Sequence, residues 1–341
     1  RRSSDLHYLR TLTCLWSLLA ILVLACSSSN EDNIENGTKN DPKTENELYK
    51  MLQGSSTVKN IQTWTEKELS EGVTYAKTQV VKASERPATI YLVKMAGDAT
   101  NAALKTGLDV PTANDQFPYQ MRYPSDIAEK FDKTDENVVA LIGGDFSRWL
   151  DYQLENPHPI DFGTRGPVHH RGQVLQDHFV PEEGWVHQAL SFLGVDKNGK
   201  VLIGDAADYA TMKDNLQECT GGGYRTLRDG KICKGFDIKY NGNYVPLEDN
   251  YPFSSVGYRD DGTVIMMIVD GRSTISTGLT YAEAGELMKS MGCTNALMLD
   301  GGGSAQMLLK NEKTGKFTLQ NKATDGGQRQ MRTYWMITVK K

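Results

Sequence analysis

The chain has 341 residues, 39% hydrophobic, 24% charged and 9% aromatic. That ordinary globular composition excludes a disordered, collagen-like or multi-span membrane protein. With 38 basic against 43 acidic residues the formal charge is −5, and no run of Lys and Arg interleaves with aromatics, so no nucleic-acid partner is expected.

Arg1, Arg2 and Arg10 precede an apolar run from Leu12 to Ala25. At about 14 residues the run is short for a membrane span and right for a signal-peptide core. It ends Val23-Leu24-Ala25-Cys26 and resembles a bacterial lipoprotein signal. Residues 1–25 are thus expected to be removed and Cys26 to be acylated. Residues 26–45 are polar and hydrophobe-poor and read as a flexible tether. The expectation is an exported lipoprotein held to a membrane on its periplasmic or surface face, with one domain over 46–341. Of the remaining cysteines, Cys219 and Cys233 are placed either to pair across a Gly-rich loop or to stay as thiols beside Cys293. No CxxC or HxxxH spacing points to zinc, and no metal or cofactor is expected.

Strand signals outnumber helical ones. Residues 88–95, 138–142 and 190–195 are rich in β-branched or aromatic residues. Asn198-Gly199 and Asp261-Gly262 each separate two short apolar runs as hairpin turns do. Asp196 and Asp260 belong to this turn chemistry, since a complete calcium loop with its terminal Glu is absent.

The stretch 263–309 is the most informative. Thr263–Val269 is an apolar run of strand length that stops at Asp270-Gly271-Arg272. Thr280 and Glu283 have capping-box spacing, and Tyr281, Ala284, Leu287, Met288 and Met291 share one helical face up to the Gly292 stop. Residues 296–299 form a second buried strand, cut off by Asp300-Gly301-Gly302-Gly303-Ser304. Strand, helix and strand at this length predict a βαβ unit within a mixed, strand-rich α+β domain.

Parallel strands place their carboxyl ends on one sheet edge, where ligands gather. Asp270 and Arg272 are then expected to share a crevice with Asp300 and Ser304. Consecutive glycines expose backbone amides that nest anionic oxygens, and an arginine adds a forked donor for phosphate. Glu283 is accounted for by capping. Ser304 lacks a G-x-S-x-G elbow, so a hydrogen bond within its own loop is the expectation.

The segment from Val269 to Leu309, with a D-G near a strand end, a spaced T-x-x-E helix and N-A-x-x-L-D-G-G-G-S, resembles the phosphodiester glycosidase family. Weaker similarities follow in family order: ALIGGDFS at 140–147, RGQVLQD at 171–177, LGVDKNGKVLIG at 193–204, LRDGKI at 227–232 and RQMRT at 329–333. The resemblance covers residues 70 to 341. It implies hydrolysis of a sugar-1-phosphodiester, such as an N-acetylglucosamine-1-phospho-sugar, to free sugar and a phosphomonoester. It further implies Asp300, Asp270 and Asp145 as catalytic carboxylates, and Gly301, Gly302, Gly303, Ser304, Arg272, Gly144 and Arg329 as phosphate or substrate contacts. Two departures stand out. Gly143-Gly144-Asp145-Phe146-Ser147 replaces the family's N-G-x-F-F, and Phe253 stands where the family carries an arginine. They support an alternative, a lipid-anchored phosphoglycan-binding protein with weak or no catalysis.

Overall fold

In a computed structural model, which describes residues 46–110, 119–134, 136–147, 163–182, 185–233, 239–240, 243–244 and 249–341, each run expected as a strand is one. The signal segment, Cys26 and the tether lie outside the described residues. In chain order the elements begin with α1 (Glu47–Gln53), β1 (Val58–Ser70), β2 (Val73–Lys82), β3 (Pro87–Met95) and β4 (Ala102–Gly107). There follow α2 (Pro124–Asp132), β5 (Glu136–Gly143), β6 (Val168–His170), β7 (Gln173–Gln176), β8 (Ser191–Asp196) and β9 (Val201–Asp205). Next come α3 (Tyr209–Met212), β10 (Leu216–Gly222), β11 (Arg225–Arg228), β12 (Lys231–Ile232), β13 (Lys239–Tyr240) and β14 (Asn243–Tyr244). The remainder is β15 (Phe253–Tyr258), β16 (Val264–Val269), α4 (Tyr281–Ser290), β17 (Asn295–Met298), β18 (Met307–Lys310), β19 (Phe317–Leu319) and β20 (Tyr334–Lys340).

An eight-stranded sheet runs β1-β2-β3-β16-β15-β17-β11-β12, and two five-stranded sheets run β7-β6-β10-β8-β9 and β19-β18-β5-β20-β4. The apolar runs of β3 and β16 are continuous because both faces of the large sheet are covered. Tyr91, Val93, Val264, Met266 and Ile268 pack with Ile142, Leu193, Trp335 and Ile337 of the smaller sheets. The alternate residues Ile90, Leu92, Ile265 and Met267 pack instead with Leu48 and Leu52 of α1 and Leu287 and Met288 of α4. On the far side α2 inserts Ile127, Ala128 and Phe131 against β5 and β20. Each fully buried aliphatic side chain contributes about 1.5–3 kcal/mol. The alternation of β3 and β16 therefore commits both layers to one register.

The hairpin turns form as their residues dictate. Gly199 and Gly262 take φ of +83° and +88°, and Asp196 and Asp261 accept backbone hydrogen bonds across their own turns. Helix α4 carries the full capping box between Thr280 and Glu283, and its expected apolar face is buried.

The strands that flank α4 are not neighbours in the sheet. Strands β16 and β17 do run in the same direction in one sheet, but β15 lies between them, antiparallel to both. The Asp261-Gly262 turn folds β15 onto β16, so the chain returning from α4 adds β17 to the free edge of β15. The carboxyl ends of β16 and β17 still reach the same sheet edge.

The cysteines take the second of the two expected arrangements. Cys219, Cys233 and Cys293 are all free thiols. Cys219 is buried on β10 among Phe192, Tyr209 and Leu216, whereas Cys233 follows β12 at the margin of a different sheet. Burial pushes the Cys219 and Cys293 thiols up, the latter to about 12.

Candidate active site

The site begins where two sheets meet. Strand β5 ends at Gly143 and leads into Gly144 and Asp145, and β17 ends at Met298 and leads through Leu299 into Asp300. Asp300 N donates to the Gly144 carbonyl at 3.0 Å, and Gly144 N donates to the Thr333 carbonyl at 2.9 Å. A Cβ on Gly144 would lie 2.6–2.9 Å from Thr333. The glycine is needed for this close backbone approach, and through it Asp145 is brought near Asp300.

Asp300 is half-buried and lines a cleft of about 570 Å³. Its carboxyl is raised to about 7, first by loss of water, while bonds from Ser304 and Gly301 N and the Arg329 charge pull it down. Asp145 is fully buried. Its carboxylate oxygens accept from Phe146 N at 2.8 Å and Gly166 N at 2.7 Å. Desolvation is again the leading cause of a rise to about 7, and the Asp300 charge adds to it. Two neighbouring carboxyls of this kind titrate as a pair, because ionising one opposes ionising the other.

The glycine loop is less open to an anion than its sequence implies. Gly302 N donates to the Pro252 carbonyl at 3.1 Å and Ser304 N to the Gly301 carbonyl at 3.0 Å. Gly301 N is directed to the Asp300 carboxylate. Three of the four amides expected to form a nest are thus directed to acceptors within the protein. Gly302 does adopt the left-handed conformation, with φ +59°. A Cβ there would lie 3.5–3.6 Å from the Arg272 guanidinium nitrogens, and one on Gly303 would lie 2.6 Å from the Arg329 guanidinium. Two arginines thus flank the loop, and side chains rather than free amides are the main donors beside it.

The arginines differ. Arg329 binds Asp325 at 2.6 Å and reaches Ser304 Oγ at 3.4 Å, and its backbone is clamped on both sides by the buried Gln306. Arg272 is exposed and makes no ion pair or hydrogen bond through its side chain among the described residues. Its own φ is +56°, an unusual value for a non-glycine residue and one that costs about 1–3 kcal/mol.

Asp270 stands apart from this cleft. It is buried, and accepts from Tyr91 Oη at 3.0 Å, Asn321 Nδ2 at 3.1 Å and Lys322 N at 3.0 Å. Burial pushes its carboxyl up against these bonds. It lines a separate groove of about 1130 Å³. The single crevice expected for Asp270 and Asp300 is therefore two hollows, with Arg272 bordering both.

Sequence reasoning missed the aromatic wall of the cleft, built by Phe146, Trp185, Tyr251, Phe253 and Tyr281. Phe253 and Tyr281 meet edge-to-face at 5.6 Å. Phe146 and Phe253 entered only through the family resemblance, not as parts of an aromatic wall, and the helical spacing of Tyr281 marked it as core. It also missed Lys82, whose fully buried ammonium contacts Glu283 at 2.8 Å, the Gly278 carbonyl at 2.9 Å and Asn250 Oδ1. Glu283 therefore both caps α4 and pairs with Lys82. Among the described residues, no group of three or more His, Cys, Asp or Glu is arranged to hold a metal.

Residues 138–338 match the family model for phosphodiester glycosidases. The chain belongs to the phosphodiester glycosidase family. Its fold is similar to that of the zebrafish N-acetylglucosamine-1-phosphodiester alpha-N-acetylglucosaminidase catalytic domain, auto-inhibited by its pro-peptide. That likeness has a TM-score of 0.54 at 16% identity over 84% of this chain and 86% of that one. A putative exported protein of Burkholderia pseudomallei gives a TM-score of 0.54 at 12% identity, over 82% and 97% of the two chains. A prophage-derived uncharacterized protein of Bacillus subtilis, YomE, is 40% identical over 86 residues, which are 25% of this chain and 12% of that protein.

Proposed function

We propose that this phosphodiester glycosidase-family chain is a hydrolase that cleaves a sugar-1-phosphodiester, releasing free sugar and a phosphomonoester. The observation carrying the reading is the Asp300 carboxyl, poised near neutrality in an aromatic-walled cleft that it shares with Arg272, which has no ion pair among the described residues. Aromatic walls suit the C–H faces of a sugar ring, and a forked guanidinium suits a phosphate. The name of the zebrafish relative supports an N-acetylglucosamine-1-phosphodiester as the substrate.

In the proposed step a water oxygen attacks the anomeric carbon while the Asp300 carboxylate takes its proton. The bond from that carbon to the phosphate oxygen breaks, and its electron pair leaves with the phosphate. A phosphomonoester has a second pKa of about 6, so it departs with little proton donation. Arg272 and Arg329 would stabilise the charge that develops, an effect of about 3 kcal/mol for a well-placed donor. A base with a pKa near the working pH is efficient. Asp145 has no exposed surface and is read as a positioning residue that acts through Asp300.

The test is release of free sugar and phosphomonoester, in equal amounts, from a panel of glycosyl-1-phosphodiesters. Phe253, buried in the cleft wall where an arginine was expected from the family, favours the second reading of binding without turnover. Saturable binding with no sugar release would select that reading. Export and lipid attachment at Cys26 belong to the same proposal and rest on the N-terminal sequence. Cys26→Ala should abolish acyl labelling, and normal labelling would remove the lipoprotein reading.

A further inference from the structure

The groove beside the cleft is about 1130 Å³ against the cleft's 570 Å³. Arg272 borders both, and the Asp325–Arg329 ion pair joins them, with Asp325 lining the groove and Arg329 the cleft. Thr63, Gln79, Thr89, Gln320 and Thr324 supply much of the groove lining, which suits hydroxyl groups. Its charges are unbalanced in an informative way. Asp270 is occupied by Tyr91, Asn321 and Lys322 N, and Asp325 by Arg329. The ammonium of Lys77 stands over the Tyr91 ring at 5.4 Å. Neither Lys77 nor Lys322 forms a side-chain ion pair among the described residues, and both are exposed. With Arg272 they give the groove three cations outside any ion pair among the described residues, against the one carboxylate of Asp270, whose charge Lys77 also feels.

We propose that this groove holds the leaving-group side of the substrate, and that this side is an oligosaccharide bearing at least one phosphate beyond the scissile one. The inference rests on the hydrolase reading above and extends it. The cleft takes the sugar to be released, Arg272 at the border meets the scissile phosphate, and Lys77 and Lys322 meet the further charge. A hollow of the cleft's size encloses one small ligand, and the groove exceeds that range enough to admit several sugar rings.

Three synthetic substrates test this. All carry the same sugar-1-phosphate, esterified to methanol, to a neutral trisaccharide, or to the same trisaccharide with one added phosphate. The phosphorylated trisaccharide ester should have a kcat/KM at least tenfold above the methyl ester, with the neutral one between. In the double variant Lys77→Gln/Lys322→Gln that advantage should vanish, while kcat/KM for the methyl ester changes less than twofold. Equal kcat/KM for all three, or a uniform fall for all three in the variant, would overturn the proposal. If no ester turns over, the hydrolase reading fails, and the groove is judged by calorimetric titration with the bis-phosphorylated trisaccharide product. Binding should then weaken at least tenfold in the variant and with rising salt. Equal affinity for the neutral trisaccharide, or no effect of the variant, would overturn it.

Discussion

Asp270 and Asp300 occupy matching places: each follows a buried strand, the two strands run in the same direction, and a glycine comes next. Their surroundings differ. Asp270 is held by a tyrosine, an asparagine and a backbone amide. Asp300 is bonded by Ser304 and Gly301 N, feels the Arg329 charge, and has its carboxyl raised to about 7. A carboxylate saturated with donors is a structural clamp, whereas one near neutrality beside an open cleft can exchange a proton. The chemistry of a strand-end aspartate is thus decided by what the other sheet brings to it.

The largest expected effect separates the two directly. Asp300→Asn should lower kcat by a hundredfold or more with KM within about threefold, because it removes a base and little volume. Asp270→Asn should leave kcat within a few-fold and instead lower stability by about 1–3 kcal/mol, the cost of mismatching its donors. Denaturant titration beside steady-state kinetics reads both, and a reversal of the pattern would exchange the assignments.

Lys82 supplies the next test. Glu283→Gln keeps the helix cap but leaves a buried ammonium without its carboxylate. We expect a loss of roughly 2–3 kcal/mol, below the range for a fully buried pair since Glu283 is 20% exposed, with turnover near normal. A loss under ~1 kcal/mol would show that capping was its whole role.

The pH dependence sharpens the comparison further. Activity should rise with pH through about 7 as Asp300 ionises. Asp145→Asn removes the competing charge, so the rise should move to lower pH. Stability should run the other way. The native Asp145 and Asp300 values lie above those of an unfolded chain, so their contribution is complete below about pH 4 and is lost as pH rises through about 7. Unfolding curves of Asp145→Asn between pH 4 and 8 should show a shallower decline. The smallest expected effect is none: reductant should leave Tm unchanged, and the unfolded, unreduced protein should expose Cys219, Cys233 and Cys293 as three reactive thiols.

Much of the sheet edge was legible from local signals. The Thr280–Glu283 cap, the turns at Gly199 and Gly262 and the apolar runs at 264–269 and 296–299 all act within a few residues of themselves. What stayed hidden is long-range. Phe253–Tyr258 reads FSSVGY, a weak strand signal, and its place between β16 and β17 follows from a hairpin meeting a crossover. The family resemblance carried Asp145 and Arg329 to the site region, but not that Asp145 is buried or that Arg329 is paired. The split into two hollows depends on Arg272 and the Asp325–Arg329 pair, whose meeting no spacing announces. Trp185 and Tyr251 join the cleft from loops that carry no periodic pattern.

The pairing of β20 has a consequence for how the chain is made. Tyr334–Lys340 lies between β5 and β4, pairing with strands that precede it by about 200 residues or more. β3 likewise waits for β16 before its second edge is covered. Contacts of such sequence separation are slow to form, because the intervening chain must be closed into a loop before they stabilise anything. While synthesis proceeds, β3, β4 and β5 therefore present uncovered edges until the residues past 264 and past 334 arrive. During that interval the growing polypeptide is at its most prone to pair with a neighbour, and protection of nascent strands becomes part of its route to the native state.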